Sequence, residues 1–321
     1  MAESRPETRA IRRLGAGMAL LLVGGGLFVP GFASTDNLLD VVTSAGIAGL
    51  FALGLLMVLI AGELDISFTA VASIAQFGLA LLFTRGDLGW ASAILISGGI
   101  GLALGLVNAA VVTWLRAPPI ITTIALLNVY GGGLALLSRG EMLYDFPVWF
   151  SDAAVFRVFG LPVSLQVLLL AVATAATLVL GRTHWGLTLR AAGGNREAAL
   201  RQGVGGVAVA AFAYGWLGFL SGIAGLAQAQ LLQAVTPGSL IGRELDVVAA
   251  TILGGASLAG GRGSVGGTLL GVLFIALIGN VLVLSGLSPY WHQAVTGTVL
   301  IVAVAPFLRG RRRAAIPVGA S

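Results

Sequence analysis

The sequence predicts an all-α polytopic membrane protein of about ten transmembrane helices, with both termini cytoplasmic. Three observations lead there. Hydrophobic residues make up 57% of the 321 and charged residues 10%, which leaves too little polar surface to coat a globule in water. Apolar runs close to the roughly 20 residues needed to cross a bilayer recur along the whole chain. The basic residues, all 18 of them arginine, concentrate in alternate connections between those runs. A mean hydropathy of +0.99 agrees, and no period-two alternation points to a β-barrel.

The runs fall near 14–33, 40–61, 66–83, 90–115, 119–138, 162–181, 207–232, 246–260, 264–286 and 290–308. The eighth is short, and the second and third are nearly fused. Arg5, Arg9, Arg12 and Arg13 precede the first run as they would a signal peptide, but its length and the membrane-like chain behind it favour a retained span. Ten crossings put Arg116, Arg182, Arg190, Arg196, Arg201, Arg262, Arg309, Arg311, Arg312 and Arg313 on the same side as the four N-terminal arginines. Only Arg85, Arg139, Arg157 and Arg243 lie on the other side. Fourteen against four is a strong positive-inside bias, and it divides the chain into a cytoplasmic tail 1–13, a membrane domain 14–308 and a basic tail 309–321. The 48 glycines suit close helix packing in lipid.

Several chemistries are excluded. Cysteine is absent and only His184 and His292 could donate imidazole, so no metal site is expected. The chain has no lysine and therefore no P-loop of the G-x-x-x-x-G-K type, so it does not hydrolyse ATP by that route. The segment GRGSVG, 261–266, fits a dinucleotide fingerprint in letters alone, since no strand precedes it. Its glycines read as a tight turn, and Gly263, Gly267 and Gly271 continue as a small-xxx-small face. The positive charge points to anionic lipid headgroups as neighbours rather than nucleic acid.

The longest cytoplasmic connection between spans is the loop 182–206. Asn195 is placed to cap a helix over 196–202 and Gly203 to end it in the left-handed region. An ordinary solvated loop is the alternative. In this loop AAGGNREAALRQGV resembles the EAA-type loop of the ribose/monosaccharide class of ABC importer permeases, within the branched-chain-type permease superfamily. Three further stretches agree in order: AGELDIS (61–67), GLVNAAVVTWLRAPPIITTIAL (105–126) and ELDVVAATILGGASLAGGRGSVGGTLLG (244–271). The resemblance implies a transport subunit that forms the pathway for a sugar-like solute. Its implied partners are cytoplasmic ATPase subunits that use ATP and Mg, a second permease subunit (identical or not) and a periplasmic solute-binding protein. It also implies a bacterial inner membrane. This chain itself would bind no cofactor. Gly193, Gly194, Asn195, Glu197, Ala198 and Ala199 match the segment that couples to the ATPase. Arg196 stands where that family commonly has an acid, Ala109 where a glycine follows the asparagine, and Glu63 where the residue is uncharged.

A neutral polyol needs hydrogen-bonding groups along an apolar passage. The candidates are Glu63, Asp65, Ser67, Gln76, Asn108, Thr122, Thr123, Asn128, Gln228 and Asn280. Helix-to-helix bonding is the alternative for each. Asp65 is placed to cap the helix beginning near Ile66, and Glu63 to line the inner mouth of the pathway. ELD recurs at 244–246, an internal echo or a coincidence. A self-contained secondary transporter is the rival reading. It would carry ionisable residues deep in several spans.

The topology is open to a direct test, because single cysteines can be introduced without background. Cysteines at 5, 188 and 312 should resist an impermeant thiol reagent in intact cells and one at 150 should react. Labelling at 188 from outside would contradict ten crossings.

Overall fold

The computed structural model describes residues 6–83, 89–152, 155–158, 161–288, 290–299 and 301. The helices are α1 (Pro6–Phe28), α2 (Thr35–Ile60), α3 (Phe68–Phe83), α4 (Trp90–Leu115), α5 (Pro119–Ser138), α6 (Val148–Asp152), α7 (Leu165–Arg182), α8 (His184–Gly194), α9 (Arg196–Arg201), α10 (Gly206–Leu232), α11 (Glu244–Leu253) and α12 (Val265–Leu284). Residues 290–299 are also helical. Among the described residues six helices, α2, α4, α5, α7, α10 and α12, are long and apolar enough to cross a membrane. Leu14–Phe28 of α1 and all of α3 are shorter apolar helices. The all-helical, multi-pass class therefore holds, with local corrections.

The expected span at 162–181 begins not as helix but in a small hairpin of β1 (Val155–Val158) and β2 (Leu161–Ser164), with Val155 opposite Ser164. Pro162 lacks an amide hydrogen, which suits a free strand edge and not a helix interior. The run at 246–260 is helical only through the 10 residues of α11. At 1.5 Å per residue that is about 15 Å, half a bilayer core. The run at 290–308 lies partly outside the described residues, as do the 309–321 tail and residues 1–5. Helix α1 starts at Pro6, inside the segment expected as a tail.

Two helices form the centre. From Gly49 to Ile60, α2 is buried on every side, and α10 is buried from Leu220 to Gln230. A helix that is apolar all round belongs in a core. The outer helices instead turn large apolar side chains outward, among them Leu102 on α4, Val129, Leu136 and Leu137 on α5 and Val179 on α7. In a bilayer these face acyl chains, which are as apolar as leucine.

Glycines bring α4 and α10 into backbone contact. A Cβ placed on Gly101 would lie 2.1 Å from the Gly218 carbonyl oxygen, and one on Gly105 would lie 2.3 Å from that of Tyr214. Gly267 and Gly271 do the same for α12 against α11, where a Cβ would meet the carbonyls of Gly254 and Ala250 at 2.0 Å. The expected small-residue face is therefore a packing surface. Proline sets the α4–α5 corner: Arg116 ends α4 in the left-handed region at φ 52°, and Pro119 opens α5.

Opposite the arginine-rich end, the connection after α5 folds into a cap. Leu143 and Val235 exchange backbone hydrogen bonds of 3.0 and 2.7 Å. Phe83, Trp90, Phe146, Trp149 and Phe150 pack ring against ring. Phe150 is fully buried there, so a cysteine at 150 would be a silent label; Tyr144, 75% exposed, is the better outer reporter.

The α4–α10 contact gives a stability prediction. A Cβ on Gly222 would meet the Ser97 carbonyl oxygen at 1.9 Å, whereas one on Gly99 would meet nothing within 4 Å. Gly222→Ala should cost about 1–3 kcal/mol through forced backbone displacement. Gly99→Ala should be neutral or stabilising, as thermal unfolding of the purified variants would report.

Candidate coupling and translocation site

Two features converge at the arginine-rich end: the seven non-helical residues 61–67 between α2 and α3, and the α8–α9 pair. Helix α2 ends because Gly62 adopts φ +82°. Gly62 N then donates to Leu59 O at 2.9 Å and Glu63 N to Val58 O at 3.1 Å, the paired bonds of a glycine-terminated helix. Next the chain turns back into the bundle. Asn108, which bonds to Asp65, is seven residues from the end of α4, so the break lies about 10 Å inside the helix ends. The sequence expects Asp65 to cap the next helix and Glu63 to line the inner mouth of the pathway. Both are buried, Glu63 at 8% and Asp65 at 1% exposure.

Asp65 does not cap α3 directly. One carboxylate oxygen accepts from the Ser67 amide and the Ser67 hydroxyl, both at 2.7 Å. The other accepts from Asn108 Nδ2 at 3.1 Å. That amide nitrogen also donates to Ser67 Oγ at 2.7 Å, and the Tyr130 hydroxyl donates to Asn108 Oδ1 at 2.8 Å. Thr123 Oγ1 accepts from the Ile66 amide at 3.3 Å. Three elements, the break, α4 and α5, thus contribute to one buried polar cluster. A carboxylate without a cationic partner persists in an apolar setting only when donors surround it in this way.

Beside the cluster lies the second ELD segment. Glu244, 6% exposed, accepts from the Thr69 hydroxyl in the first turn of α3, and from the Gly242 amide at 2.9 and 3.0 Å. The two ELD segments are brought near each other across the start of α3, with the glutamate buried in both and the aspartate only in the first. Sequence reasoning did not select Tyr130, Thr69 or Glu244.

The other candidates are dispersed. Gln76 donates to Ser239 Oγ at 3.2 Å. Thr122 leans on the Pro118 carbonyl at the start of its own helix at 3.5 Å, and Asn128 is exposed and donates to Ile124 O at 2.8 Å. Gln228 is buried in α10. Asn280 forms a reciprocal amide pair with Asn37 at 2.7 and 3.0 Å. That pair stands by a cavity of about 610 Å³ between α2, α11, α12 and the 290–299 helix. Its walls include Phe51 and Ile275, with Asp40, Arg243, Asp246 and His292 also on its lining.

Asn195 caps α9 as expected: its Oδ1 accepts from Ala198 N at 3.0 Å. Gly203 follows at φ +83° with Val204 N donating to Ala199 O at 3.0 Å. Helix α9 meets the break at its first residue, where Arg196 Nη1 lies 3.6 Å from Glu63 Oε1. Arg196 is 68% exposed, so the pair contributes less than about 1 kcal/mol. Tyr214 stands beside the same carboxylate, while the buried Glu63 Oε2 and Tyr214 hydroxyl lack partners in strict hydrogen-bonding geometry. Two residues before Asn195 the backbones touch. Gly261 N donates to Ile60 O at 2.9 Å, and a Cβ on Gly193 would lie 2.0 Å from that oxygen and 2.6 Å from Gly261 N. Gly194, by contrast, has nothing within 4 Å of its Cβ position.

In this cluster aspartate and asparagine are not equivalent at position 65. An asparagine in its place would keep one acceptor for Ser67 but set its own amide hydrogens against those of Asn108. Asp65→Asn should therefore cost about 1–3 kcal/mol, and Asp65→Leu more, since it strands Ser67 and Asn108 together. Melting temperatures of the two variants in detergent would check the order; an unchanged Asp65→Asn would mean the carboxylate is already protonated.

Comparison with known proteins places this architecture. The profile of the family described as branched-chain amino acid transport system / permease component matches residues 37–304. The autoinducer 2 import system permease protein LsrC of Yersinia enterocolitica is 31% identical over 260 residues, covering 81% of this chain and 71% of that protein. LsrC of Yersinia pseudotuberculosis is 29% identical over 277 residues, covering 86% and 78%. No solved structure matches. The match takes in the break, the buried cluster and the α8–α9 pair together, and the chain belongs to this permease family as a multi-pass inner-membrane subunit of an ABC importer.

Proposed function

We propose that this permease passes a neutral, sugar-like solute and that α9 is the element through which the ATPase partner drives it. The observation that carries the proposal is the contact of Arg196, first residue of α9, with Glu63 in the break between α2 and α3. The break holds the buried polar cluster, so a displacement of α9 is transmitted to groups able to bond a polyol. Discontinuous helices with internal polar groups are a recurrent way of building transport sites in membranes. The relatives import autoinducer 2; a small polar solute of that kind suits hydrogen-bonding side chains such as those of Ser67 and Asn108.

In this reading the chain crosses the membrane ten times with both termini in the cytoplasm. The 233–243 segment and α11 together make the eighth crossing. The cavity by Asn280 opens at the periplasmic side and receives the solute from a binding protein. Its volume of about 610 Å³ is ordinary for a small-molecule site. Asp65, Ser67 and Asn108 stand at the inner end. The subunit works with a second permease subunit, and ATP and Mg are used only by the ATPase.

Gly194 allows a clean test. A Cβ there meets nothing within 4 Å, so a loss of function at unchanged membrane abundance would arise at a partner. Gly194→Trp should leave membrane abundance unchanged and abolish uptake and ATPase association. Glu197→Arg should act similarly, because Glu197 is 78% exposed and among the described residues bonds only Arg201 of its own helix, at 2.6 Å. Wild-type uptake in the double variant would remove α9 from the mechanism.

A further inference from the structure

A second groove, of about 410 Å³, opens at the arginine-rich end between the last turns of α2 and α7, α8 and the start of α12. It belongs to neither the polar cluster nor the α9 contact. Among the described residues Arg182 and Arg190 are its charged lining residues, and no carboxylate lines it. Arg190 is held in place by donating to the Gly263 carbonyl at 3.1 Å. Arg182, in the last turn of α7, is exposed and makes no ion pair among the described residues. The positive end of the α12 dipole adds to the same field.

Below the arginines the lining changes character. Leu178 lies on it one helical turn inside Arg182, against a wall that holds the buried Leu56. Leu178 is 41% exposed. Cationic groups at the level of the helix ends and apolar groups a turn deeper match the two parts of a phospholipid, where a free anion would use only the first. Basic pockets between spans at the cytoplasmic leaflet are suited to acidic headgroups.

We propose that this groove binds one anionic phospholipid, its phosphate on Arg182 and Arg190 and an acyl chain along the exposed Leu178. The site does not depend on the coupling role of α9. It does abut the junction of Gly193 with Gly261, so an occupant would brace that end of the bundle.

Native mass spectrometry of the full-length, delipidated subunit tests this with phosphatidylglycerol and phosphatidylcholine offered separately. One phosphatidylglycerol should be retained in preference. Arg182→Gln should weaken it about fivefold, the worth of one basic side chain near an anionic surface. Gly181→Leu should abolish binding by filling the groove, since its Cβ would have only Met57 Cε as a neighbour, at 4.0 Å. Arg116→Gln, which removes an exposed arginine outside the groove, should bind as wild type. Should Gly181→Leu misfold, the exposed Arg182→Gln still decides. Equal retention of the two lipids, or wild-type affinity in Arg182→Gln, would overturn the site. Displacement of phosphatidylglycerol by millimolar inorganic phosphate alone would overturn the lipid and leave a simple anion site.

Discussion

Seven residues of non-helical chain inside an apolar bundle must find hydrogen bonds, and the elements around 61–67 are arranged by that demand. Each buried polar group left unpaired costs on the order of 1–3 kcal/mol. The chain meets the demand from several directions. Gly62 lets the last turn of α2 close its own carbonyls, Thr123 of α5 takes the Ile66 amide, and Ser67 and Asn108 satisfy Asp65. Even the Ile60 carbonyl is taken by a distant glycine, Gly261. The break is thus tied to α4, α5 and the 257–264 turn, and moving it would disturb all three.

Glycine makes those ties short. At Gly193 and Gly261, as at Gly101 and Gly218, any side chain would drive a Cβ into a neighbour's backbone. Lipid supplies no hydrophobic drive between helices, so association rests on contact and on hydrogen bonds. Close backbones give both and also stiffness. A shift of α8 therefore reaches the 60–62 and 260–261 segments as displacement and not as local bending.

Much of this was legible in the sequence. Asn195 and Gly203 bracket α9 because a capping amide and a left-handed glycine are local signals that tertiary structure seldom overrides. Gly267 and Gly271 announced a packing face by spacing alone. Depth was not legible. Asp65 reads as a cap near a surface turn, because hydropathy places it at the end of an apolar run and cannot see α3 and α4 enclosing it. The half-length α11 reads as a span for a similar reason: hydropathy continues through 254–260 after the helix has ended. Tyr130, Thr69 and Glu244 join the site by contacts 22 to 175 residues away in sequence, which no local pattern encodes.

The two ties between the α8–α9 pair and the break differ in strength, and the difference suits transport. The backbone junction at Gly193 is steric and cannot stretch without opening a void. The Arg196–Glu63 pair is long at 3.6 Å and open to solvent on the arginine side, so it can be made and broken within thermal reach. An element held rigidly at one point and loosely a few residues later can pivot. Glu63 has two neighbours, Arg196 at the solvent side and the Tyr214 hydroxyl beside it. If the ATPase partner acts on α9 as proposed, a hinge of that kind would let its closure bias the inner end of the passage.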